Sequence, residues 1–229
     1  MSANLSESRT VDGRVARWQG QLAKRREAFI EAALEAIALY GPQVSTEQIA
    51  EHAGVSRTKI YRYFGGAADL HHSIAERASQ MLTAKQTLTW DGPVSLMQLV
   101  RASVSMHVRW RIDRPNLYEY LARHPLSDEA DGVSAIDEVN SAVAKNLAKV
   151  IAAYYRSLGI DERPTTSLSV GAVGFVESAV TNWLKDPAGL PRKEFVTQLT
   201  EWMWALHNSA FLKAGISVDP DEPIAPLVV

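Results

Sequence analysis

Cysteine is absent from the 229 residues. That removes disulfide staples, thiolate nucleophiles and cysteine-based zinc sites. Long apolar runs are missing too. The longest one near the C-terminus, LSVGAVGFV from Leu168 to Val176, is nine residues long before Glu177 interrupts it, well short of the roughly 20 that a membrane helix needs. The opening stretch MSANLSESRT is polar and holds no apolar signal core. A soluble, cytoplasmic chain with no membrane partner is the expectation. The sequence also lacks H-E-x-x-H, the phosphate loop G-x-x-x-x-G-K-[ST] and G-x-G-x-x-G, so no cofactor and no catalytic residue is expected. A large net charge is lacking as well. Lys and Arg number 24 against 26 Asp and Glu, a formal −2, and nothing in the bulk charge points to nucleic acid.

Strand patterning is scarce, whereas helical periodicity is frequent. Gly and Pro punctuation cuts the chain into about nine helices. An all-α fold follows, in four parts: residues 1–20 as a flexible polar arm, 21–66 as a small helical domain, 67–216 as a larger one, and the acidic, proline-bearing 217–229 as a mobile tail. The first helix is predicted over Gln21–Tyr40, with Leu22, Phe29, Ala33, Leu34 and Ile37 on its apolar side and Gly41-Pro42 ending it. Ser45 and Gln48 have capping-box spacing, which starts a helix at Thr46. Ala53-Gly54 makes a tight turn, and Ser56 can cap the next helix. Two short helices joined by a glycine turn form a helix-turn-helix unit. Further helices are predicted over about 67–88, then to Asp113, from Pro115 to His124, and over 133–158, 165–185 and 192–214.

Charge is unevenly distributed. Residues 1–66 carry nine Lys and Arg against seven Asp and Glu, concentrated at Lys24-Arg25-Arg26 and at Arg57, Lys59 and Arg62. On a helix over 56–64, Ile60 and Phe64 lie one turn apart and face inward. Thr58 and Arg62 point away from them, Lys59 and Tyr61 flank, and Arg57 and Tyr63 sit at the margins. A solvated surface helix would normally mix signs; this face presents cations, hydroxyls and phenols and no acid. Arg can pair with guanine edges in a major groove, while Tyr, Lys and Ser can hold phosphates. Thr46 and Ser56 stand at helix starts, where free N–H groups favour phosphate. Arg9, Arg14 and Arg17 in the arm could follow a minor groove or be incidental charge on a disordered tail.

The segment from Lys24 to Leu70 resembles the DNA-binding domain of the TetR family of bacterial repressors. The resemblance is carried by KRREAFIEAALEAIALYG, by the T-x-x-I-A-x-x-A-G-V-S core from Thr46 to Ser56, by I-Y-R-Y-F from Ile60 to Phe64, and by Asp69-Leu70. It implies a homodimeric, ligand-responsive regulator whose three N-terminal helices bind a pseudo-palindromic double-stranded operator. Its larger domain would dimerise and bind a small effector. Carried over by position, Thr46, Ser56, Arg57, Thr58, Lys59, Tyr61 and Tyr63 are the DNA-contact residues, with Tyr61 as a phosphate anchor. The chain departs from the family pattern in three places. Thr58-Lys59 stands where Gly-Thr is frequent, Ala67 where a phosphate-contacting Lys is usual, and Ala68 where an acid is usual. Lys59 is read as offsetting the lysine absent at 67.

Tryptophan and tyrosine are dense in the larger domain. His107, Trp110, Tyr118, Tyr154, Phe175, Glu177 and Trp183 are the expected ligand-binding residues, with a small hydrophobic effector as their partner. Aromatics at helical spacing can equally fill a core. Helices eight and nine are the expected dimer elements. Gly171, Gly174, Ser178 and Ala179 are small residues that allow close approach, and Trp202 and Trp204 cannot both face one way. Two alternatives stand beside this reading: an all-helical enzyme, and a DNA-binding activator without a ligand. His72 and Glu76, at i and i+4, could begin a metal site or form a solvated pair.

Overall fold

The computed structural model describes residues 5–83, 94–124 and 134–224, with side chains from residue 18 onward. Among these residues the fold is all-α. The helices are α1 Leu5–Tyr40, α2 Thr46–His52, α3 Arg57–Tyr61, α4 Ala67–Thr83, α5 Leu96–Asp113, α6 Pro115–Arg123, α7 Ala135–Ser157, α8 Thr165–Lys185 and α9 Arg192–Lys213. One antiparallel pair is added, β1 Val94–Ser95 with β2 Pro223–Ile224.

Three boundaries differ from expectation. α1 begins at Leu5 rather than near Gln21. From Leu5 to Tyr40 there is no proline and glycine only at 13 and 20, so nothing local stops the helix. The side chains of Arg9, Arg14 and Arg17 lie outside the described residues. α3 ends at Tyr61 with Arg62 as its C-cap, and Tyr63 and Phe64 follow in a turn rather than on the helix. The segment from 217 is tied down as far as Ile224: Val94 pairs with Ile224, Ser95 with Pro223, and the Met97 N–H donates to the Pro220 carbonyl at 2.9 Å. Two-residue strands carry no alternation pattern that a sequence could reveal. The expected helix extension to 88, the break at 90–93 and the last five residues lie outside the described residues.

The chain divides into two compact units, residues 1–77 with 116–135, and residues 78–115 with 136–229. The sequence pattern alone places a boundary at 66/67. In the first unit Phe29, Ala33 and Ile37 of α1 are buried together with Ile49 and Ala50 of α2, Ile60, Phe64, Leu70 and Ile74. Leu22 and Leu34 are half-buried. In the second unit Val104 and Val108 of α5, Ala172 and Val180 of α8, and Phe195, Leu199 and Met203 of α9 form one apolar cluster. Burying a side chain of this size contributes roughly 1.5–3 kcal/mol.

Candidate functional site

The helix-turn-helix is held by caps at each end of its turn. Ser45 Oγ accepts the Gln48 N–H at 3.2 Å, and the Gln48 side chain accepts the Ser45 N–H at 2.9 Å. This is the reciprocal box predicted from the spacing. α2 stops in a Schellman turn: the Val55 N–H reaches the Ala50 carbonyl at 2.9 Å and the Gly54 N–H reaches Glu51 at 3.0 Å. Gly54 has φ +65° there, a conformation that a Cβ would strain. Ser56 then caps α3 by accepting the Lys59 N–H at 3.3 Å.

Ile60 on α3 and Phe64 in the turn after it fix the rotation of the helix. They are 0% and 1% exposed, so the opposite side must face out. Arg57, Thr58, Lys59 and Arg62 are exposed, and Thr46, Tyr61 and Tyr63 are half-buried. The seven sequence-predicted DNA residues thus fall on or beside one short segment, though not all are equally unencumbered. Arg57 is ion-paired with Glu47 of α2 and lies 5.1 Å from the Tyr61 ring centre. Tyr63 packs edge-on against Phe29, with centroids 5.2 Å apart. Arg62, left off the predicted contacts, is an exposed cation at the end of the same helix.

Arg26 belongs to the cationic cluster in sequence but serves the interior in structure. Its guanidinium donates to the Tyr63 carbonyl, to both Asp69 carboxylate oxygens at 3.0 and 3.1 Å, and to Ser73 Oγ at 2.9 Å. It also lies 4.4 Å from the Phe64 ring centre. Asp69 accepts the Gly65 N–H at 2.7 Å in addition. Its pKa is lowered, first by the Arg26 hydrogen bonds and then by that of Gly65.

The second unit contains a cavity of about 220 Å³ walled by α5, α7, α8 and α9, with Leu82 of α4. Aliphatic side chains such as Val100, Leu147, Ile151 and Val176 make most of its surface. Of the seven expected ligand residues, His107 and Tyr154 line it. Glu177 stands behind the wall: its carboxylate lies 2.9 Å from His107 Nε2 and 3.2 Å from Arg111 Nη1, and it accepts the Thr181 hydroxyl at 3.1 Å. Arg111 also donates to Thr181 at 3.2 Å.

The other four are placed elsewhere. Trp110 is buried away from the cavity lining, and Tyr118 belongs to the first unit. Phe175 is 45% exposed and edge-on to Trp202. Trp183 stacks on Phe195 at 4.8 Å and donates its indole N–H to the Leu190 carbonyl, a core assignment. Residues that sequence reasoning left out include Trp204 and His207 of α9 and Asn140 of α7. His72 and Glu76 face each other at 3.6 Å, both substantially exposed. Among the described residues no group of three His, Cys, Asp or Glu is placed to hold a metal, and no helix is long and apolar enough to cross a membrane.

An all-helical protein with a capped helix-turn-helix and a cationic outward face belongs to the DNA-binding class. Residues 29–74 match the model of the bacterial regulatory proteins of the tetR family. The chain is 25% identical over 196 residues to an HTH-type transcriptional regulator of Mycobacterium tuberculosis, covering 85% of this chain and 82% of that one. It superposes on a tetR-family transcriptional regulator from Streptomyces coelicolor with TM-score 0.60 and 25% identity, over 83% of each chain. It shares the fold of the Bacillus subtilis transcriptional regulator FadR, solved in complex with stearoyl-CoA, with TM-score 0.56 and 21% identity over 80% of this chain and 98% of that one. Residues 29–74 thus carry a DNA-binding domain of the tetR type, and over most of its length the chain is similar to HTH-type transcriptional regulators.

Proposed function

We propose that the protein is a ligand-responsive homodimeric repressor, released from a pseudo-palindromic operator when a small hydrophobic molecule occupies the α5–α7–α8–α9 cavity. The observation that carries this reading is the cavity itself: about 220 Å³ of space inside a unit whose neighbouring apolar cluster is closely packed. Interiors are normally filled to crystal-like density. A space of this size with an apolar wall is favourable for an apolar guest. The Bacillus subtilis FadR complex with stearoyl-CoA offers an analogy at the level of fold. Release requires the guest to prefer a conformer that no longer spans both half-sites, and it can shift DNA affinity only by that preference.

Dimerisation through α8 and α9 is supported by their outer faces. Val170, Phe175, Trp202 and Leu206 are exposed at 57%, 45%, 45% and 37%. Gly171 and Gly174 lie beside them in mid-helix, and a Cβ on either would meet nothing within 4 Å. Packing within the protomer therefore does not require glycine at these two positions, and each costs about 0.5–1 kcal/mol relative to alanine. Close approach of a second copy gives the absence of a side chain a use. Ala179, expected in the same stripe, instead packs against the core cluster. Trp202 faces out while Trp204 lines the cavity, a division that follows from their spacing of two.

In the DNA-binding unit, Thr46, Ser56, Thr58, Lys59 and Tyr61 are the contacts we assign to the operator, with Arg57 joining once it exchanges Glu47 for phosphate or base. The test is titration of a protein–operator complex with apolar compounds. Release in proportion to cavity occupancy is the expected result; operator binding indifferent to every cavity ligand would instead favour a ligand-independent regulator.

A further inference from the structure

The cavity wall has an unusual charge inventory. Among the described residues it contains no Lys, Arg, Asp or Glu; its titratable members are His107, His207, Tyr154 and Tyr155. Burial holds His207 below the ordinary histidine range and raises both tyrosines, so these three stay uncharged near neutrality. His107 is the one ring backed by a charge. Its Nε2 faces Glu177 Oε2 at 2.9 Å, and the two side chains are only 14% and 13% exposed. Arg111, 6% exposed, holds the other carboxylate oxygen at 3.2 Å. The Arg111 guanidinium is thus already paired, and a carboxylate lies 2.9 Å from His107. An anionic headgroup entering here would lose its water without gaining a counter-charge, and it would approach Glu177.

From this geometry we propose that the cavity selects uncharged lipophiles, such as esters, ketones or alcohols, over carboxylates of the same chain, and that Glu177 sets this selection by pairing with Arg111 and placing its own carboxylate beside His107, behind the wall. The inference rests on the effector-cavity reading above and narrows it to a ligand class. Glu177 is a positioning and selectivity residue: it does not touch the ligand but fixes the field the ligand meets. An acyl chain carried as an ester or thioester, with its charged portion outside the cavity, satisfies the same rule; a free fatty acid does not.

The test uses the full chain without DNA, reading calorimetry and intrinsic tryptophan fluorescence, to which Trp204 of the wall contributes, with decanoate, methyl decanoate and undecane near pH 7.5. The ester is expected to bind at least about tenfold tighter than decanoate. Glu177→Gln is expected to shrink that preference at least about fivefold by raising decanoate affinity, with ester affinity nearly unchanged. Thermal unfolding of the variant with and without ester establishes that it is folded, and Glu177→Asp, which keeps the charge, is expected to retain the preference. Decanoate binding as tightly as the ester, no binding of the ester, or an E177Q preference equal to the original would each overturn the proposal. Operator release is measured separately. Ester binding without release would contradict the effector reading and leave the charge selection standing.

Discussion

The guanidinium of Arg26 lies 3.0 Å from the carboxylate of Asp69, joining α1 to the first turn of α4 across 43 positions of sequence. The same guanidinium covers the Phe64 ring and bonds the Tyr63 carbonyl. It therefore clamps the chain just after α3, where that helix is handed back to the scaffold. A cation of the Lys24–Arg26 cluster is thus committed to holding the turn that follows α3.

Arg26→Ala should accordingly destabilise the chain by about 1–3 kcal/mol, since it strands the half-buried Asp69 and Tyr63 carbonyl. Arg26→Lys should recover only part of this, because an ammonium cannot serve several acceptors in one plane. Thermal melts of the three proteins check it. Loss of operator binding should follow the loss of order around Tyr63 and leave the salt dependence of the residual binding unchanged.

The Asp69 clamp also sets an acid limit. Its folded pKa is lowered from the ordinary 3.8, so the stabilisation is present above the unfolded value and is lost as pH falls through the folded one. Asp69→Asn should therefore be less stable than the parent at pH 7. The gap should close in strong acid, below the usual carboxylate range, where the parent has lost the same charge. Melting temperatures from pH 7 to pH 2 would reveal a constant gap if Asp69 were not the responsible group.

Lys59 is the cation of α3 for which we propose a compensating role, given Ala67 at the start of α4. Lys59→Ala should weaken operator binding and make its dependence on log salt shallower by about one. Adding Ala67→Lys to that variant should restore much of the slope. A Lys59→Ala protein with unchanged affinity and unchanged slope would remove Lys59 from the interface.

On the α8–α9 face, a Cβ added at Gly174 meets no atom within 4 Å, so the fold should tolerate Gly174→Leu, with the helix somewhat stabilised. The same leucine should block close approach of two copies. Light scattering is expected to report a monomer for Gly174→Leu and for Trp202→Glu at concentrations where the parent is dimeric, with operator affinity falling alongside.

Much of the fold was legible because its signals are local. Helix α8 runs over the predicted Thr165–Lys185, bounded by Pro164 and Asp186-Pro187. The Ser45–Gln48 box and Gly54 announced the turn before α3. The Ser95–Gln98 box that starts α5 has the same signature and could have been read the same way. The cavity was not legible in this way. Periodicity tells which side of a helix is apolar, but not which neighbouring helix that side meets or whether the space between them is filled. Hence Trp183 proved to be core while Trp204, two residues from an exposed Trp202, proved to be wall. The strand pair at 94–95 and 223–224 is a long-range closure with no local pattern.

The central claim, that this is an operator-binding regulator whose DNA affinity is set by a guest in its own cavity, is tested most directly by fluorescence anisotropy against labelled DNA from upstream of its own coding region, at moderate salt, with and without a saturating cavity ligand. Binding by a dimer to a defined pseudo-palindrome, weakened at least about tenfold by the ligand, is the predicted result. Binding that does not discriminate among several upstream sequences, or that the ligand leaves unchanged, would contradict it.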